Sequence, residues 1–389
     1  MSFLRVLIVF NAYQLRGGED SVVDAELALL RGHGHEVATY FRNNDDVSGM
    51  SSLALARQTL WSARTQDDLA ELIRRFQPDV IHAHNTFPLI SPSLYWAAAR
   101  AGVPVVQTLH NFRLMCLNAL FLRDGKVCED CMGRLPWRGV ARACYRDSLP
   151  ASAVAAAMLT LHRRLGTYQH KVTRYIALNE FCRGKFIEGG LPAERIALKP
   201  NFVDFAPPAT QPRRGILYVG RLSLEKGIRT LAEATGLCAG AVLRVAGDGP
   251  EAGVLNDLSG VTALGSKPSA VVREEMSQAI ALVVPSIWYE TFGLVVIEAF
   301  ACSTPVIVSR IGVLAELVRD GETGLLFEPA NAHALAEKMN WALAHPDEMA
   351  EMGRKARAQY EAEFSAEVNY QRLMAIYQGA IEEVKGQHV

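Results

Sequence analysis

Two glutamates, Glu290 and Glu298, lie eight positions apart in a segment that follows an apolar run and opens a helical pattern. Glu298 stands between Leu-Val-Val-Ile and Ala-Phe-Ala. Placing a carboxylate in such an apolar setting costs free energy unless the group has a binding partner or a function. We interpret both residues as acceptors for hydroxyl groups of a ligand. The alternative is that Glu298 is an ordinary solvated helix residue.

The predicted start of the helix between them is formed by Thr291, Phe292, Gly293 and Leu294. The first backbone N–H groups of a helix have no partner within it, and they lie at the positive end of its dipole. Such a terminus is a natural phosphate site. We therefore predict that these residues contact a phosphate-bearing ligand.

Two cations, Arg221 and Lys226, lie in a loop after another apolar run, 216–219. Arg offers a bidentate fork and Lys a mobile point charge, which suits two phosphate oxygens held at once. When a bond to a nucleoside diphosphate breaks, the β-phosphate gains negative charge. Stabilising that charge in the transition state is the main way to accelerate such a reaction. The alternative is a basic surface loop with Glu225 as the partner.

Enzymes that use a bound metal for this purpose carry an Asp-x-Asp, and the sequence contains none. Asp320-Gly321-Glu322 comes nearest and is typical of a turn after a helix. We therefore predict catalysis without a cofactor or a divalent ion, with the two cations in its place.

His110 follows the apolar run 103–109, at the expected carboxyl edge of a parallel sheet. Ligands of such sheets bind at that edge. We predict that His110 contacts the substrate. The alternative is a structural histidine, with Asn111 capping a turn. His82 and His84 end an earlier run and are secondary candidates of the same kind.

Four of the seven cysteines cluster between residues 111 and 148, with one Cys-x2-Cys at the centre: Cys116, Cys128, Cys131 and Cys144. Four thiols suit a tetrahedral structural zinc, but strong zinc patterns contain two such pairs. Structural zinc and unligated thiols both remain open.

Short runs rich in Val, Ile and Leu alternate with helical patterns, which predicts parallel strands buried on both faces. The predicted strands are 4–10, 36–41, 79–83, 103–109, 174–178, 216–219, 241–246, 261–264, 280–284 and 305–308. The series breaks at 204–215, where three prolines and no periodicity indicate a linker.

We therefore expect two doubly wound α/β domains, 1–204 and 205–364, facing each other across a cleft. The cysteine-containing excursion, 111–148, belongs to the first domain in this interpretation. The helix expected at 365–389 crosses back to that domain.

The charge balance excludes a general nucleic-acid binder, because 40 Lys and Arg residues meet 41 Asp and Glu residues. The first residues form no signal peptide pattern, and the longest apolar stretch, 151–161, is too short to span a bilayer. We expect a cytoplasmic protein. Cations near that stretch favour peripheral contact with the inner face of the membrane. They are Arg163, Arg164, Lys171 and Arg174.

Together these motifs resemble those of the family 4 glycosyltransferases. Glu290 and Glu298 match the family's Glu-x7-Glu signature, and the segment 219–227 is similar to its Gly-Arg-Leu and Lys-Gly segment. Segment 246–250 resembles its Gly-x-Gly-Pro turn, and Gly17 with Gly18 its N-terminal glycine-rich loop.

The resemblance implies a GT-B fold of two Rossmann-like domains, with the donor bound mainly by the second and the acceptor by the first. It implies retaining transfer of a hexose from a nucleoside-diphosphate sugar to a saccharide or lipid-linked saccharide. The product would carry an α-glycosidic bond, as in bacterial polysaccharide or lipopolysaccharide synthesis.

The resemblance also assigns roles. The catalytic residues would be His110, Arg221, Lys226 and Glu290, and the donor-binding residues Gly17, Gly18, Thr291, Phe292, Gly293, Leu294 and Glu298. In the family, the histidine that matches His110 contacts the donor sugar and is commonly followed by Asp, a position that Asn111 takes here.

Two other functions remain as alternatives. One is a sugar-phosphate synthase or nucleotide-sugar epimerase on the same fold, and the other is a non-catalytic nucleotide-sugar-binding protein. A nicotinamide-dependent dehydrogenase is excluded, because the turn after Phe10 lacks Gly-x-Gly-x-x-Gly.

Overall fold

The computed structural model describes residues 3–14, 16–206, 212–238, 240, 243–255 and 258–386. Residues 207–211 of the predicted linker and 241–242 of a predicted strand lie outside the described residues. The chain divides into two compact units. The first comprises Met1–Leu120, Glu129–Asn201 and Ala366–Val389, and the second Phe121–Cys128 and Phe202–Ser365.

The strands up to residue 198 are, in chain order, β1 Arg5–Ala12, β2 Glu36–Asn43, β3 Val80–Ala83, β4 Val105–Thr108, β5 Leu122–Arg123, β6 Lys126–Val127, β7 Arg174–Ala177 and β8 Ile196–Leu198. The helices over the same range are α1 Gly18–Gly32, α2 Ser52–Leu60, α3 Ala63–Phe76, α4 Ser93–Arg100, α5 Trp137–Ala141, α6 Leu149–Arg164, α7 Thr167–His170 and α8 Glu180–Glu188. Two 3-10 turns cover Asn44–Gly49 and Ala193–Arg195.

The first unit is built on a six-stranded sheet in the order β2-β1-β3-β4-β7-β8. All its pairs are parallel. Strands β3 and β4 are buried along their whole length, although β3 contains His82 and β4 contains Gln107 and Thr108. The strand order reverses between β1 and β3, and ligands of such sheets bind beside the carboxyl ends at that switch point.

The remaining strands, all in the second unit, are β9 Ile216–Val219, β10 Leu243–Ala246, β11 Val261–Gly265, β12 Ala281–Val284, β13 Val306–Ser309 and β14 Gly324–Phe327. The remaining helices are α9 Ile228–Gly236, α10 Ser269–Ser277, α11 Leu294–Ala301, α12 Gly312–Leu317, α13 Ala332–Ala344, α14 Pro346–Glu363 and α15 Ala366–Gly386. Two further 3-10 turns cover Leu224–Lys226 and Ala252–Leu255.

The second sheet is also six-stranded and parallel, in the order β11-β10-β9-β12-β13-β14. Its switch point lies between β9 and β12. Helices α9 and α13 bury their apolar faces on it through Ile228, Leu231, Leu335 and Met339. The loops after β9 and β12 carry the two motifs that sequence analysis singled out.

Helix α15 belongs to the first unit, where it packs on the sheet against β3 and β4. Leu373, Met374 and Tyr377 are buried in one core with Val6 and Ile8. The helix thus contributes to the first core although it follows the whole second unit in the sequence.

The two parallel sheets confirm the predicted fold class of two doubly wound domains. All ten expected strands occur, the one at 241–246 as Leu243–Ala246 within the described residues. Strands β5, β6, β8 and β14, of two to four residues, were not expected.

The cysteine-containing excursion 111–148 is divided between the two units, because its β5–β6 hairpin does not cluster with the first unit. The sequence placed 111–148 in the first domain as a whole, whereas Phe121–Cys128 clusters with the second unit. Phe121 meets the edge of the Tyr289 ring at a centroid distance of 6.5 Å. Asp124 and Gly125 form the turn with positive φ angles of 50° and 71°.

Among the described residues, no helix is both long and apolar enough to cross a membrane.

Candidate active site

The loop after β9 is held against the loop after β12 by a very close backbone approach. Gly227 has φ +72°, and a Cβ there would lie 1.8 Å from the carbonyl oxygen of Pro285. Ile287 N–H donates to the carbonyl of Glu225 at 3.0 Å. A side chain at 227 would separate the loops, so glycine is required for the two motifs to meet.

The loop after β10 packs on the first of these loops in the same way. A Cβ at Gly247, which has φ +156°, would lie 1.9 Å from the carbonyl oxygen of Gly220. Leu222 N–H donates to the carbonyl of Asp248 at 2.9 Å. The segments 219–227, 246–250 and 285–301 therefore converge on one sheet edge.

Lys226 and Glu290 form an ion pair at this edge, with Nζ 2.6 Å from Oε1. Ser286 Oγ and Trp288 Nε1 also donate to Oε1, at 2.7 and 3.1 Å. Burial alone would raise the pKa of Glu290, but the Lys226 charge and these hydrogen bonds bring it below its ordinary value. Glu290 is thus an ionised, rigidly held carboxylate.

This pairing answers the question that the sequence left open about the basic loop. The partner of Lys226 is Glu290, while Glu225 Oε1 accepts from Ser223 Oγ at 2.6 Å. Arg221 is exposed, and its carbonyl accepts from Tyr218 Oη at 2.8 Å. The sequence missed Ser286 and Trp288 as partners, although they precede Glu290 by four and two positions.

Helix α11 begins two residues later than Phe292, at Leu294, with Gly293 as N-cap at φ +81°. Gly293 offers no side-chain cap, so the first N–H groups of the helix keep their capacity for an anion. The Phe292 side chain is buried and meets the edge of Phe364 at 6.1 Å. Phe292 is thus suited to contact a ligand through its backbone rather than its ring.

Glu298 is the fifth residue of α11 and lies among buried helix residues. Burial raises the pKa of Glu298 to about 7, and the Arg273 charge opposes the rise only in part. A carboxyl group that is partly protonated near neutral pH is poorly solvated. It is suited to exchange hydrogen bonds with hydroxyl groups.

The first unit places its predicted residues at the carboxyl ends of β3 and β4. His110 follows β4, and its Nε2 lies 2.8 Å from Nδ1 of His84, which follows β3. The two rings are stacked with an 18° angle between their planes. Burial lowers the pKa of both histidines well below the ordinary value, so both are neutral at pH 7.

The glycine-rich loop lies at the start of α1, where Gly17 is the N-cap. Its N–H donates to Asp20 Oδ2 at 2.8 Å, so the chain's own carboxylate already pairs with this donor. Gly17 and Gly18 are exposed. Donor binding by these two glycines stays a prediction.

Glu19, the next residue, pairs with the residue after the candidate histidine. Asn111 Nδ2 donates to Glu19 Oε1 at 2.9 Å, while Glu19 Oε2 is buried without a hydrogen-bond partner among the described residues. Burial raises the pKa of the Glu19 carboxyl. His110, Asn111 and Glu19 line one pocket of about 50 Å³. The sequence gave Glu19 no role of its own.

Three residues of the first unit, Glu26, His82 and His84, form a group of potential metal ligands. Their ligand atoms lie within 4.8 Å of one another. The Lys199 ammonium, 2.6 Å from Glu26, already supplies a cation there. Zinc on Cys116, Cys128, Cys131 and Cys144 stays a prediction.

Two family models match adjoining parts of the chain. "Glycosyltransferase Family 4" matches residues 16–206, and "Glycosyl transferases group 1" matches residues 203–359. The chain belongs to the family 4 glycosyltransferases. The motifs described above lie within these two matches.

A curated relative is matched over part of its length. The chain is 34% identical to a glycogen synthase of Mycobacterium tuberculosis over 170 residues, 40% of this chain and 41% of that protein. The match therefore spans about two fifths of the relative's length.

Solved structures of low sequence identity share the fold along the whole chain. A sucrose-phosphate synthase from Thermosynechococcus elongatus has a TM-score of 0.72 at 20% identity, covering 98% of this chain and 100% of its own. Anabaena HepE in complex with UDP has a TM-score of 0.70 at 18% identity, covering 97% and 100%. The family 4 glycosyltransferase thus has the GT-B fold.

Proposed function

We propose that the protein is a retaining hexosyltransferase that moves a hexose from a nucleoside-diphosphate sugar to a saccharide or lipid-linked saccharide, forming an α-glycosidic bond. The observation that carries the proposal is the Lys226–Glu290 pair at the switch point of the second sheet. It joins a cation that can bind a phosphate to a carboxylate that can accept hydrogen bonds from hydroxyl groups. A polysaccharide or lipopolysaccharide pathway is the setting we propose.

The pair suits the two ends of the bond that breaks. The acceptor oxygen bonds to the anomeric carbon, the bond from that carbon to the β-phosphate oxygen breaks, and the acceptor proton passes to the departing phosphate. Lys226 and the exposed Arg221 stabilise the growing phosphate charge. Glu290 fixes a hydroxyl group of the hexose and thereby orients the anomeric carbon.

The nucleotide occupies the rest of the same sheet edge in this proposal. The uncapped start of α11 faces a phosphate, and Glu298 accepts hydrogen bonds from the ribose hydroxyls. HepE, which shares the fold, was solved with UDP. In the first unit, His110 contacts a hydroxyl group of the substrate.

The test begins with melting temperatures in the presence of UDP, GDP, ADP and TDP. A ligand at about 100 times its dissociation constant stabilises the native state by about 2.7 kcal/mol. Sugars on the preferred diphosphate are then offered with saccharide, lipid-linked and sugar-phosphate acceptors. Anomeric proton couplings in the product report the linkage.

We expect one diphosphate to raise the melting temperature and one donor to yield an α-linked product. Activity should survive EDTA, because cations of the chain stand in for a metal. Recovery only with added manganese or magnesium contradicts metal independence. Binding without turnover by any acceptor favours a binding protein, and a sugar-phosphate product favours the synthase alternative.

The membrane contact expected from the sequence stays a prediction. Of the four cations proposed there, three are engaged within the first unit. Arg163 donates to the carbonyl of Leu114, Lys171 lies over the Trp96 ring, and Arg174 pairs with Glu383.

We propose that an anionic membrane meets the exposed residues around α5 and the start of α6. Leu135, Trp137 and Leu149 are 57%, 64% and 56% exposed, beside the exposed Arg134 and Arg146. Residues 131–171 contain seven Lys and Arg residues against one acidic residue. Apolar and cationic groups together suit an anionic interface.

Sedimentation with phosphatidylglycerol vesicles tests this contact. We expect the wild type to sediment with them and not with phosphatidylcholine vesicles, and Trp137→Ser with Leu135→Ser to reduce sedimentation. Phe3→Ser, which removes a 62% exposed apolar residue elsewhere in the unit, is the control. Equal sedimentation of all variants contradicts the proposed surface.

A further inference from the structure

A buried chain of ionisable groups leads from Lys199, just after strand β8, to His110. Lys199 Nζ lies 2.6 Å from Glu26 Oε1, and Glu26 Oε2 lies 3.4 Å from His84 Nε2. His84 Nδ1 lies 2.8 Å from His110 Nε2. Lys199, Glu26 and His84 are 0%, 0% and 2% exposed, so water cannot redirect these contacts.

The carboxylate of Glu26 is the fixed point of the chain. Burial favours its neutral form, but the Lys199 charge and hydrogen bond hold the pKa of Glu26 below the ordinary value. Lys199 is itself anchored by Asn369 Oδ1, at 3.0 Å. An ionised carboxylate can only accept hydrogen bonds. At 3.4 Å the contact of Glu26 Oε2 with His84 Nε2 is electrostatic and not a formed hydrogen bond, and the carboxylate charge favours an N–H on the nitrogen of His84 that faces it.

This preference sets the proton position on both histidines. A neutral imidazole carries one N–H, and the hydrogen bond of one nitrogen decides the state of the other. If His84 carries its proton on Nε2, towards Glu26, then His84 Nδ1 is an acceptor. The 2.8 Å contact then requires a proton on His110 Nε2. His110 Nδ1 is left with its lone pair.

The third histidine of the cluster also faces the carboxylate, with His82 Nδ1 3.5 Å from Glu26 Oε2, but both of its ring nitrogens have nearer partners. His82 Nδ1 lies 2.7 Å from Tyr377 Oη, and His82 Nε2 lies 2.8 Å from Thr108 Oγ1. Hydroxyl groups rotate and can donate or accept, so they adapt to either tautomer of His82. Among the described partners of these histidines, the Glu26 carboxylate is the one that can accept but cannot donate.

We propose that Glu26 and His84 are positioning residues that hold His110 as the Nε2–H tautomer, so that it offers the Nδ1 lone pair to a hydroxyl group of the ligand. The tautomer follows from the first unit alone, whereas the ligand contact rests on the proposed function. The pocket of about 50 Å³ that His110 lines has room for a hydroxyl group. A group that can only accept, such as an ionised phosphate oxygen, is disfavoured at Nδ1.

The test is nitrogen-15 NMR of the full chain labelled at histidine, with long-range correlations that separate protonated from unprotonated ring nitrogens. Loss of one signal set in His110→Asn assigns His110. We expect the wild type to show a proton on Nε2 and none on Nδ1. A proton on Nδ1 overturns the proposal, whatever the enzyme's activity.

Two variants remove the directing group without leaving an unpaired buried charge. His84→Gln replaces the ring, and the double variant Glu26→Gln with Lys199→Met removes both charges together, because breaking one partner of a buried pair is strongly destabilising. We expect mixed His110 tautomers in both. An unchanged His110 signal in both folded variants also overturns the proposal.

His162 is the internal control, since it is buried in the same unit and bonded to Thr167 Oγ1 and the carbonyl of Leu60. Its signals should stay unchanged in both variants.

The activity measurement separates this proposal from the proposed function. We expect His84→Gln to lower kcat at least about tenfold with little change in KM for the donor, because a misplaced proton costs a hydrogen bond in the transition state. Normal turnover in His110→Asn, together with the expected wild-type tautomer, rejects the substrate role of His110 and leaves the tautomer assignment standing.

Discussion

Lys226 and Glu290 are 64 positions apart in the sequence, yet Nζ of one lies 2.6 Å from Oε1 of the other. The contact joins the loop after β9 to the loop after β12, at the switch point of the second sheet. Lys226 also lies 5.4 Å from the centre of the Trp288 ring. The cation is thus held in place, so the proposed contact with a phosphate needs little reorganisation.

Removing either cation of the loop after β9, Arg221 or Lys226, should lower turnover. We expect Arg221→Ala and Lys226→Ala each to reduce kcat/KM at least about 100-fold, because the charge on the departing phosphate loses its partner. Initial rates with the preferred donor give the measurement. Arg229→Ala is the control, since that exposed residue pairs with Glu251 at 2.7 Å in the same unit. Near-normal rates in both loop variants would refute the assignment.

The sequence predicted the placement of these motifs but not their contacts. The sequence proposed four site residues because each motif follows a strand, and ligands of parallel sheets bind at strand ends. They are Arg221, Lys226, Glu290 and Glu298. The partner of Lys226 depends on a tertiary approach of Gly227 to Pro285, which no local pattern encodes.

The buried chain behind His110 illustrates the same limit. Glu26, His84, Lys199 and Asn369 come from four distant segments, and α15 brings the last one back to the first unit. The sequence contains one indication that Lys199 is buried. Lys199 stands between the apolar strand β8 and Pro200, an unusual place for a solvated cation.

Zinc on the excursion cysteines can be tested directly. If Cys116, Cys128, Cys131 and Cys144 bind zinc, elemental analysis should find about one zinc per chain. The double variant Cys128→Ser with Cys131→Ser should lose it, and Cys238→Ala in the second core should keep it. Zinc-free wild-type protein rejects the site.

Glu298 should make stability depend on pH. The pKa of its carboxyl is about 7 in the folded protein against 4.5 in the unfolded chain, so the folded state binds the proton more tightly. Stability from this group is therefore lost as pH rises from the lower value through the higher one. The loss is up to about 3 kcal/mol.

Melting temperatures of Glu298→Gln and wild type, measured at about pH 5 and about pH 8, test this sign. We expect the variant to gain stability relative to wild type at the higher pH. Glu274→Gln, at an exposed position on α10, is the control. A difference between variant and wild type that does not change with pH contradicts the raised pKa.

The two glutamates of the motif should affect binding and transfer differently. Glu298 is proposed to bind the ribose, so Glu298→Gln should weaken nucleoside-diphosphate binding at least about tenfold, the cost of a lost charged hydrogen bond. Glu290 is proposed to bind the transferred hexose, which is absent from the diphosphate. Glu290→Gln should therefore keep the diphosphate affinity and lose turnover.

Calorimetric titration of the preferred diphosphate into both variants, beside steady-state rates, makes the comparison. Glutamine is the suitable replacement for Glu290, because Oε1 accepts hydrogen bonds from Lys226, Ser286 and Trp288. Glutamine removes the charge and keeps an oxygen that can accept these hydrogen bonds. Ser286→Ala is the matched control, since it removes one of those donors and leaves the carboxylate. If Glu290→Gln loses diphosphate affinity while Glu298→Gln retains it, the roles are reversed, and the hexose lies nearer α11 than the proposed function places it.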